Sequence, residues 1–309
     1  MIPVNSVLQV GHFPENMQAE IDRRLNPIHH PDPNTPAPAG KFQAILIRSN
    51  TKLPEALVQQ IPSIRMVATC GVGYDNLPLA YLKSKGIKAS NTPSVLNDAV
   101  CELAIGMMLA LLRQLPEAQE HVKTSAWSKA PFRLTTTLAG KRVGIVGMGR
   151  IGQDLAKRLE PFKVDIAYTG PNKKALSYAY YSNVQDLAKV CDILFLACPA
   201  TPDTDKMITT EVLDALGPTG YLINIARGSV VDENALLYAL QHKKIAGAAL
   251  DVFENEPNPN TAFSTLDNVL LTPHIGSATL ETRIAMTKLA VDNLEAFFKQ
   301  QTLPSEVNN

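Results

Sequence analysis

Three side chains in the second half of the sequence have the types needed for anion binding and proton transfer. They are Arg227, Glu256 and His274, and each follows a run of apolar residues. An arginine can give a carboxylate two parallel charge-assisted hydrogen bonds, and a histidine can donate or accept a proton near neutral pH. A carboxylate beside a histidine can orient the ring and favour its protonated form. If the apolar runs are strands of one open α/β sheet, these residues lie at its carboxyl edge, where ligands bind.

Each of the three residues also has a structural interpretation. Arg227 could cap a helix or form a structural ion pair. Glu256, which precedes a proline, could be a loop carboxylate, and His274, which follows one, could be a packed turn histidine. Their shared position just beyond predicted strands favours the functional interpretation of the set.

A glycine-rich turn precedes these residues in the chain. Gly147, Gly149 and Gly152 form a G-x-G-x-x-G pattern between an apolar run, residues 142–146, and a helical pattern, residues 153–159. The first glycine permits a tight turn, the second lets the backbone approach a pyrophosphate, and the third permits close packing of helix on strand. The helix N-terminus offers free amides to the phosphates. The pattern predicts dinucleotide binding; a glycine turn without a ligand and the related loop of a methyltransferase are the alternatives.

The turn after the second strand of this series bears on the choice of dinucleotide. An Asp or Glu there normally binds the adenosine ribose of NAD. This turn has no acid, and Asp165 lies inside the predicted strand, facing away. Thr169, Lys173 and Lys174, with Arg150, could instead bind a 2′-phosphate. The turn therefore predicts a preference for NADP(H), with NAD(H) as a second cofactor; the alternative is a solvated turn in a protein that uses both equally.

The first ninety residues alternate short β-rich runs with helical patterns, which predicts a parallel sheet with crossover helices. Residues 27–40 contain five prolines and are predicted to form an exposed loop. His29 and His30 in this loop have no further ligands beside them, so we expect no metal site. The predicted strands are residues 7–10, 44–47, 66–70 and 87–90.

The chain from residue 97 onward begins with a long helix. It is predicted to start at Asn97 or Asp98, whose side chains suit an N-cap, and to run toward His121 as a connector between two domains. From residue 141 a second βα series has six predicted strands, which matches a dinucleotide-binding domain. The last helix, residues 282–300, would return to the first domain and make that domain discontinuous. The six strands are residues 142–146, 164–168, 193–197, 221–225, 246–252 and 269–271.

Four successive motifs in the second series resemble the signatures of D-isomer-specific 2-hydroxyacid dehydrogenases. After the glycine motif come residues 224–232 (NIARGSVVD), 247–257 (GAALDVFENEP) and 273–277 (PHIGS). The resemblance spans about residues 71–294. Residues 92–100 (TPSVLNDAV) and the basic turn are most similar to the glyoxylate and hydroxypyruvate reductase branch.

The resemblance implies an α/β fold of two doubly wound parallel-sheet domains. A Rossmann NAD(P)-binding domain, residues 98–283, would be inserted in a flavodoxin-like substrate-binding domain formed by residues 1–97 and 284–309. The implied activity is NADPH-dependent reduction of small 2-keto acids, glyoxylate and hydroxypyruvate, to D-2-hydroxy acids. The alternatives are a reductase of bulkier 2-keto acids, such as aromatic pyruvates or 2-ketogluconate, and a dinucleotide-sensing protein without catalysis, similar to the family's corepressors.

The resemblance also implies roles for single residues. Arg227 would bridge the carboxylate and carbonyl oxygens of the substrate, His274 would donate the proton during reduction, and Glu256 would orient the histidine ring. Asp251 would contact the nicotinamide, with a buried structural role as its alternative. The residues expected to bind substrate are Ser49, Asn50, Val72, Gly73, Arg227 and His274. Those expected to contact the cofactor are Val100, Gly147, Gly149, Arg150, Ile151, Gly152, Thr169, Lys173, Lys174, Cys198, Pro199, Thr204, Ile225, Ala226, Asp251 and Gly276.

The bulk composition narrows the classes of partner and location. The 309 residues hold 29 Lys and Arg against 29 Asp and Glu, so no net field attracts nucleic acid or an anionic membrane. The longest apolar stretch, residues 99–112, contains Glu102 and is shorter than the roughly 20 residues of a spanning helix. The N-terminus lacks a secretory pattern, and four scattered cysteines without a C-x-x-C pair favour reduced structural thiols. We therefore expect a cytoplasmic protein with a small-molecule substrate.

Apolar and aromatic residues give an expectation for assembly. The predicted connector helix carries more apolar surface than one face of a monomer needs, which favours a homodimer. Trp127 is expected in a buried core, at an interface or beside the substrate, and Tyr74 either shapes the substrate pocket or packs. The apolar residues of the helix are Ile105, Met107, Met108, Leu111 and Leu112.

Overall fold

The computed structural model describes residues 2–307 and divides into two compact units. The first unit runs to Leu96 and resumes at Ala278, and the second is Asn97–Ser277. The predicted boundaries lay one residue later at the first junction and six residues later at the second. Residues 1, 308 and 309, which the prediction assigned to the first domain, lie outside the described residues.

The first unit is built on a parallel sheet of five strands in the order β2-β1-β3-β4-β5, the flavodoxin-like order. Both faces of the sheet are buried, which explains why its strands are continuous apolar runs. The strands are Val7–Val10 (β1), Ile28–His30 (β2), Ala44–Arg48 (β3), Met66–Cys70 (β4) and Lys88–Ser90 (β5). The helices are Glu15–Leu25 (α1), Glu55–Gln59 (α2), Leu79–Ser84 (α3) and, from the end of the chain, Leu280–Phe298 (α10).

The last helix completes this unit, because α10 packs against α1 and β4. Its buried positions include Met286, Ala290, Val291 and Leu294. The opposite face of the sheet packs against apolar side chains of α2 and α3. The amino-terminal sheet therefore depends on a helix from the other end of the chain, as the sequence predicted.

The predicted loop at residues 27–40 is wrong in its first part. Ile28–His30 forms the edge strand β2, in parallel register with β1, and Leu8 pairs with Ile28. The Gly11 N–H donates to the carbonyl of His30 at 2.9 Å, and the His30 side chain is buried. The strand is stabilised by its hydrogen bonds to β1. A run of three residues is too short to predict such pairing from sequence.

The second unit is built on a parallel sheet of seven strands in the order β12-β11-β10-β9-β6-β7-β8. Counted within the unit from β8, this is 3-2-1-4-5-6 with one more strand at the end, so the unit is a Rossmann domain. The strands are Arg142–Val146 (β6), Asp165–Thr169 (β7), Ala179–Tyr181 (β8), Ile193–Leu196 (β9), Tyr221–Asn224 (β10), Gly247–Leu250 (β11) and Val269–Leu271 (β12). The helices are Asn97–Arg113 (α4), Leu115–Lys123 (α5), Arg150–Leu159 (α6), Val184–Ala188 (α7), Thr210–Leu216 (α8) and Glu233–Gln241 (α9).

Sequence reasoning missed β8 in this sheet, so the predicted count of six strands is wrong. Ala179–Tyr181 pairs with β7, and its residues are exposed or half-buried. Its tyrosines follow a polar turn without a longer apolar run, which is why the pattern did not predict a strand.

The prediction of a single long connector helix is also wrong, because the helix is interrupted at Gln114. Gln114 has φ +50°, in the left-handed region, and α4 and α5 are bent by 57°. No single helix of residues 2–307 is long and apolar enough to cross a membrane; α4 and α5 reach that length and composition only when counted together across the bend.

The apolar surface of α4 is largely used inside the second unit. Met107, Met108, Leu111 and Leu112 are buried against strands of the Rossmann sheet, and Ile105 packs partly against the same core. The expected homodimer was based on more apolar surface on this helix than a monomer can bury. That premise is wrong, because the second unit itself buries most of this surface.

Candidate active site

A short hydrogen bond joins His274 to Glu256. The imidazole Nδ1 lies 2.6 Å from Glu256 Oε2, and both side chains are about one-third exposed. The other carboxylate oxygen of Glu256 accepts from the Phe253 N–H at 3.0 Å. His274 follows β12 and has φ +52°, an uncommon conformation for a residue with a side chain. The loop thus holds the histidine in a strained backbone state with its ring directed at a carboxylate.

The electrostatics of this pair keep Glu256 ionised. Burial alone would raise the pKa of Glu256, but the hydrogen bonds from His274 and the Phe253 amide, together with the nearby charges of His274 and Arg227, lower its pKa overall. An ionised carboxylate can only accept a hydrogen bond, so Glu256 fixes the orientation of the His274 ring through its Nδ1 atom.

Arg227 lies just beyond β10, and its main chain is fixed by Asn224. The Asn224 amide donates to the Arg227 carbonyl at 3.0 Å, and its oxygen accepts from the Ala226 N–H at 3.0 Å. The next residue, Gly228, packs directly on the backbone of Phe253, since a Cβ there would lie 1.9 Å from the Phe253 carbonyl carbon. This close approach places Arg227 near the loop that carries Glu256.

Asp251 binds the loop that carries His274. Its buried carboxylate accepts from the Thr272 hydroxyl at 2.7 Å and from the N–H groups of Ile275 and Gly276, both at 2.8 Å. These three bonds surround His274 on both sides in sequence. The buried structural role left open for Asp251 is thus present in the structure, and it holds the loop that carries His274.

Glu233 is a supporting residue that sequence reasoning missed. It lies in the first turn of α9, is buried, and accepts from the Glu254 N–H at 2.7 Å. Burial raises its pKa, and the charge of Glu254 adds to this, against the hydrogen bond and the charge of Lys206. It fixes the segment that precedes Glu256. The sequence shows Glu233 only as an acidic residue after Asp232, the N-cap of α9, and such a position does not predict a contact with Glu254.

The glycine turn has the geometry expected of a dinucleotide cradle. Gly147 has φ +95°, and a Cβ there would lie 2.6 Å from the Cys198 amide nitrogen. Gly152 is buried with its Cα facing the Gly147 carbonyl, where a Cβ would come within 2.1 Å. Gly149, at the start of α6, faces open space, since a Cβ there would meet no heavy atom within 4 Å. Gly147 and Gly152 are thus closely packed against the protein, whereas Gly149 leaves space at the N-terminus of α6. This arrangement fits a bound pyrophosphate.

Two tyrosines hold the basic turn in place beside this cradle. The buried Tyr168 accepts from the Lys174 N–H at 2.7 Å through its phenol oxygen, and Tyr180 donates to the Gly170 carbonyl at 3.2 Å. Lys173 and Lys174 are exposed, whereas Thr169 is buried at the end of β7. The missed strand β8 thus supplies Tyr180 as a support for the predicted cofactor-selecting turn.

The remaining predicted cofactor residues lie on the same unit. Thr204 folds the loop after β9, because its hydroxyl donates to the Pro199 carbonyl at 2.7 Å and accepts from the Thr201 N–H. Gly276 packs with its Cα near Asp251 and Val100. Arg150 and Ile151 begin α6, Cys198 and Pro199 follow β9, and Ile225 and Ala226 follow β10.

The predicted substrate residues of the first unit lie at the carboxyl ends of its central strands. Ser49 and Asn50 follow β3, and Val72 and Gly73 follow β4. The Ser49 side chain packs against Gly71, where a Cβ would lie 2.2 Å from it. Among the described residues, no hydrogen bond uses the N–H of Val72 or Gly73 as a donor. Both amides are available to an anion.

Two predictions for aromatic and sulfur-containing residues have different outcomes. Trp127 is 67% exposed, so its assignment to a buried core is wrong, and Tyr74 is also exposed. All four cysteines are free and buried, in agreement with structural thiols. The described residues contain no group of three or more His, Cys, Asp or Glu side chains arranged to hold a metal ion.

Comparison with known proteins gives a consistent family. The sequence profile of the D-isomer specific 2-hydroxyacid dehydrogenase family, NAD binding domain, matches residues 105–276. Hydroxyphenylpyruvate reductase from Plectranthus scutellarioides is 45% identical over 87% of this chain and 86% of its own length. Glyoxylate/hydroxypyruvate reductase A from Arabidopsis thaliana is also 45% identical, over 86% of this chain and 85% of its own length.

A solved structure agrees with this assignment. An NADPH-dependent glyoxylate/hydroxypyruvate reductase from Sinorhizobium meliloti, in complex with NADP and malonate, has a TM-score of 0.93 and 38% identity. The match covers 98% of this chain and 97% of that one. The family resemblance read from the four motifs is confirmed. This chain belongs to the D-isomer-specific 2-hydroxyacid dehydrogenase family, as an NAD(P)-dependent dehydrogenase.

Proposed function

We propose that this protein reduces small 2-keto acids, glyoxylate and hydroxypyruvate, to D-2-hydroxy acids with NADPH. The observation that carries the proposal is the set formed by Arg227, Glu256 and His274 at the carboxyl edge of the Rossmann sheet, with the 2.6 Å bond between the last two. The relatives named glyoxylate/hydroxypyruvate reductase support the substrate class.

Each residue of the set has one task in the reaction. A dinucleotide held at the glycine turn of Gly147, Gly149 and Gly152 would supply the hydride that reduces the keto carbon. Negative charge then develops on the carbonyl oxygen, which Arg227 stabilises through its guanidinium while also holding the substrate carboxylate. His274 donates the proton to that oxygen, and Glu256 orients the ring and stabilises its charged form.

The first unit supplies further substrate contacts in this proposal. The N–H groups of Val72 and Gly73 would receive the substrate carboxylate as an anion nest, and Ser49 and Asn50 would contact the same substrate. The malonate complex of the relative from Sinorhizobium meliloti is consistent with carboxylate binding in this class of protein.

A panel of 2-keto acids tests the proposal. Glyoxylate, hydroxypyruvate, hydroxyphenylpyruvate and 2-ketogluconate are assayed by loss of NADPH absorbance. The highest kcat/KM is expected for glyoxylate or hydroxypyruvate. The relative from Plectranthus scutellarioides favours the alternative of a bulkier substrate, which a higher value for hydroxyphenylpyruvate would support. Tight NADPH binding without turnover of any keto acid would favour a dinucleotide sensor instead.

Substitution of the set tests the assigned roles. His274→Ala and Arg227→Ala are expected to lower kcat/KM by about 10²- to 10⁴-fold, because they remove proton transfer and charge stabilisation. The Kd for NADPH, measured by fluorescence titration, should stay near the wild-type value. His242→Ala is a control, since His242 lies exposed at the end of α9. Near-normal turnover in either active-site variant would refute the roles.

Preference for NADPH over NADH is proposed from the basic turn. Thr169, Lys173 and Lys174, with Arg150, would bind the 2′-phosphate. The double variant Lys173→Gln/Lys174→Gln should lower the ratio of kcat/KM with NADPH to that with NADH, and Lys189→Gln, whose side chain pairs with Asp186, should not. Equal or better use of NADH by the wild-type protein would contradict the preference.

A homodimer is proposed as the assembly, on a different surface from the one expected. Four large apolar side chains within residues 115–134 are exposed: Leu115, Val122, Trp127 and Leu134, which is 99% exposed. An apolar surface of this kind on one segment is a candidate for burial against a second copy. Light scattering should give a dimer mass, which Val122→Glu/Leu134→Glu should lower. A monomeric wild-type protein at micromolar concentration would contradict the proposal.

A cytoplasmic location is proposed on the basis of the thiols. Free buried cysteines are typical of reducing compartments. Cell fractionation tests the location, and recovery of the protein only outside the cytoplasm would contradict it.

A further inference from the structure

The loop after β4 presents two successive peptide groups in a fixed orientation. The carbonyl of Gly71 accepts from the Thr92 N–H at 2.8 Å, and the carbonyl of Val72 accepts from the Asn91 side-chain amide at 2.8 Å. Both peptide bonds are trans, so each N–H points away from its carbonyl. The N–H groups of Val72 and Gly73, which belong to these two peptides, therefore point together to the side opposite Asn91 and Thr92.

Asn91 is held by the segment that follows α10. The Ser305 hydroxyl donates to the Asn91 carbonyl at 2.6 Å, and the Asn91 N–H donates to the Ser305 carbonyl at 3.3 Å. Asn91 is buried, so its amide group has no freedom to turn toward solvent. The position of its side chain is thus set by Ser305 and by the chain on either side of β5.

Ser305 is itself bound to α10 through Asn293. The Asn293 oxygen accepts from the Ser305 N–H at 3.1 Å, and its amide donates to the Ser305 hydroxyl at 2.9 Å. Asn293 is fully buried and also donates to the Leu289 carbonyl within the helix. A continuous chain of hydrogen bonds thus runs from α10 through Asn293, Ser305 and Asn91 to the carbonyl of Val72.

We propose that Ser305 and Asn91 are positioning residues for substrate binding, which orient the Gly73 N–H toward the substrate carboxylate. The inference rests on the proposed function, because it assigns that carboxylate to the Val72 and Gly73 amides. Neither residue touches the substrate in this proposal. A segment from the carboxyl end of the chain thereby sets the affinity of a loop from its amino-terminal half.

The proposal predicts an effect on KM rather than on kcat. The carboxylate does not change its charge during the reaction, so its contact with the loop contributes about equally to the ground state and to the transition state. Loss of such uniform binding raises KM and leaves kcat nearly constant. A hydrogen bond of this kind is worth about 0.5–1.5 kcal/mol, which corresponds to roughly 2- to 13-fold in affinity.

The test compares Asn91→Ala, Ser305→Ala and Ser305→Thr in the full chain. Asn91→Ala removes the donor to Val72 and should raise KM for glyoxylate by about 10-fold. Ser305→Ala should raise it by a smaller factor, and Ser305→Thr, which keeps the hydroxyl, should restore it. The Kd for oxalate, a carboxylate without a reducible carbonyl, should rise in parallel in calorimetry with NADP⁺ present. The Kd for NADPH alone should not change.

Ser63→Ala is the matched control for a merely structural effect. Its hydroxyl also donates to a backbone carbonyl at 2.6 Å, that of Phe42, in the same unit. Equal KM values in Ser63→Ala and Ser305→Ala, or no difference between Ser305→Ala and Ser305→Thr, would overturn the proposal. If Asn91→Ala does not fold, the comparison of KM between Ser305→Ala and Ser305→Thr still tests the proposal. Absence of keto acid turnover in the wild-type protein would instead refute the proposed function, whereas the oxalate measurement would remain informative about the loop.

Discussion

At the scale of single residues, the hydrogen bond between Glu256 and His274 affects both the ionisation of Glu256 and the orientation of the imidazole. The pKa of Glu256 is lowered, because its hydrogen bonds and the charges near it outweigh the raising effect of burial. The stabilisation that it contributes is therefore present above the pKa of an unfolded glutamate and is lost as the pH falls through the folded value. The same carboxylate orients the imidazole through the 2.6 Å bond, so one residue links folding stability to the proposed reaction.

The charge of Glu256 should be visible in the pH dependence of reduction. Glu256→Gln removes the negative charge beside the ring but keeps an oxygen acceptor. In the wild type, kcat/KM for glyoxylate reduction should fall as the pH drops through the lowered pKa of Glu256, whereas Glu256→Gln, which has no carboxylate to protonate, should be less active at neutral pH and should not show this fall. The measurement is a pH profile of wild type and variant with NADPH.

Glu254→Gln is the control for this prediction. Glu254 is exposed, lies two residues away and pairs with Lys206 at 3.5 Å. Its loss changes the net charge equally without touching the imidazole. An identical profile in wild type and Glu256→Gln, or an equal change in both variants, would show that the carboxylate does not act on His274.

The four cysteines give a second residue-scale prediction. Burial raises the pKa of Cys70, Cys101 and Cys191 to about 12, and that of Cys198 to about 11. The thiolate is the reactive form, so at pH 8 the folded protein should react slowly with a disulfide reagent such as Ellman's reagent. Four thiols should react at once after unfolding in urea. Rapid labelling of a thiol in the folded protein would contradict the burial of the four cysteines.

At the scale of elements, the active loops are held by residues that follow neighbouring strands. Asp251 follows β11 and binds the loop after β12, while Asn224 ends β10 and fixes the turn at Arg227. The parallel order of the sheet brings these strand ends together. The site therefore depends on hydrogen bonds between adjacent loops as much as on the reacting side chains.

Asp251→Asn should disrupt the His274 loop. The carboxylate accepts three hydrogen bonds, and an asparagine would place an NH₂ group against at least one of the donors. Because these bonds are buried and charge-assisted, we expect a loss of about 2–4 kcal/mol in the free energy of unfolding. Urea denaturation measures this, and kcat should fall at least about tenfold through displacement of His274.

Asp214→Asn is a suitable comparison for Asp251→Asn. Asp214 is an exposed aspartate of the same unit whose partner is Lys244 at 3.5 Å. Its substitution should change stability and activity little. Similar stability of both variants would mean that the loop does not depend on Asp251.

The strands and the site could be predicted from sequence to different extents. Long buried runs such as β4 and β6 were found because both faces of a parallel sheet are apolar. The short edge strands β2 and β8 were missed, since pairing with a neighbour stabilises them rather than their own pattern. The bend at Gln114 was missed because a left-handed residue other than glycine has no clear sequence signal.

The residues of the proposed reaction are easier to single out from sequence than the residues that support them. Arg227, Glu256 and His274 stand in motifs whose residue types suggest chemistry. By contrast, Glu233 and Ser305 act only through contacts with residues far away in the sequence. Such contacts arise from the three-dimensional fold and cannot be inferred from spacing.

At the scale of the whole molecule, the two units differ in how they use the chain. The second unit is continuous, and its core is formed by its own strands and helices. The first unit needs both ends of the chain, because α10 covers its sheet and Ser305 binds Asn91. Folding of the first unit therefore requires residues separated by almost the full sequence.

This difference predicts that residues 97–277 fold without the rest of the chain. The fragment contains the complete Rossmann sheet, the glycine cradle and the buried face of α4, so it should unfold cooperatively and bind NADPH. Under the proposed function it should not reduce glyoxylate, because it lacks the Val72 and Gly73 amides to which the substrate carboxylate is assigned. Removal of residues 278–309 alone should instead leave the first unit unfolded while NADPH binding persists. Circular dichroism, thermal melts and fluorescence titration make the comparison. A fragment that fails to bind NADPH would show that the second unit does not fold independently. A truncated chain that retains two folded units would show that the first unit does not need residues 278–309.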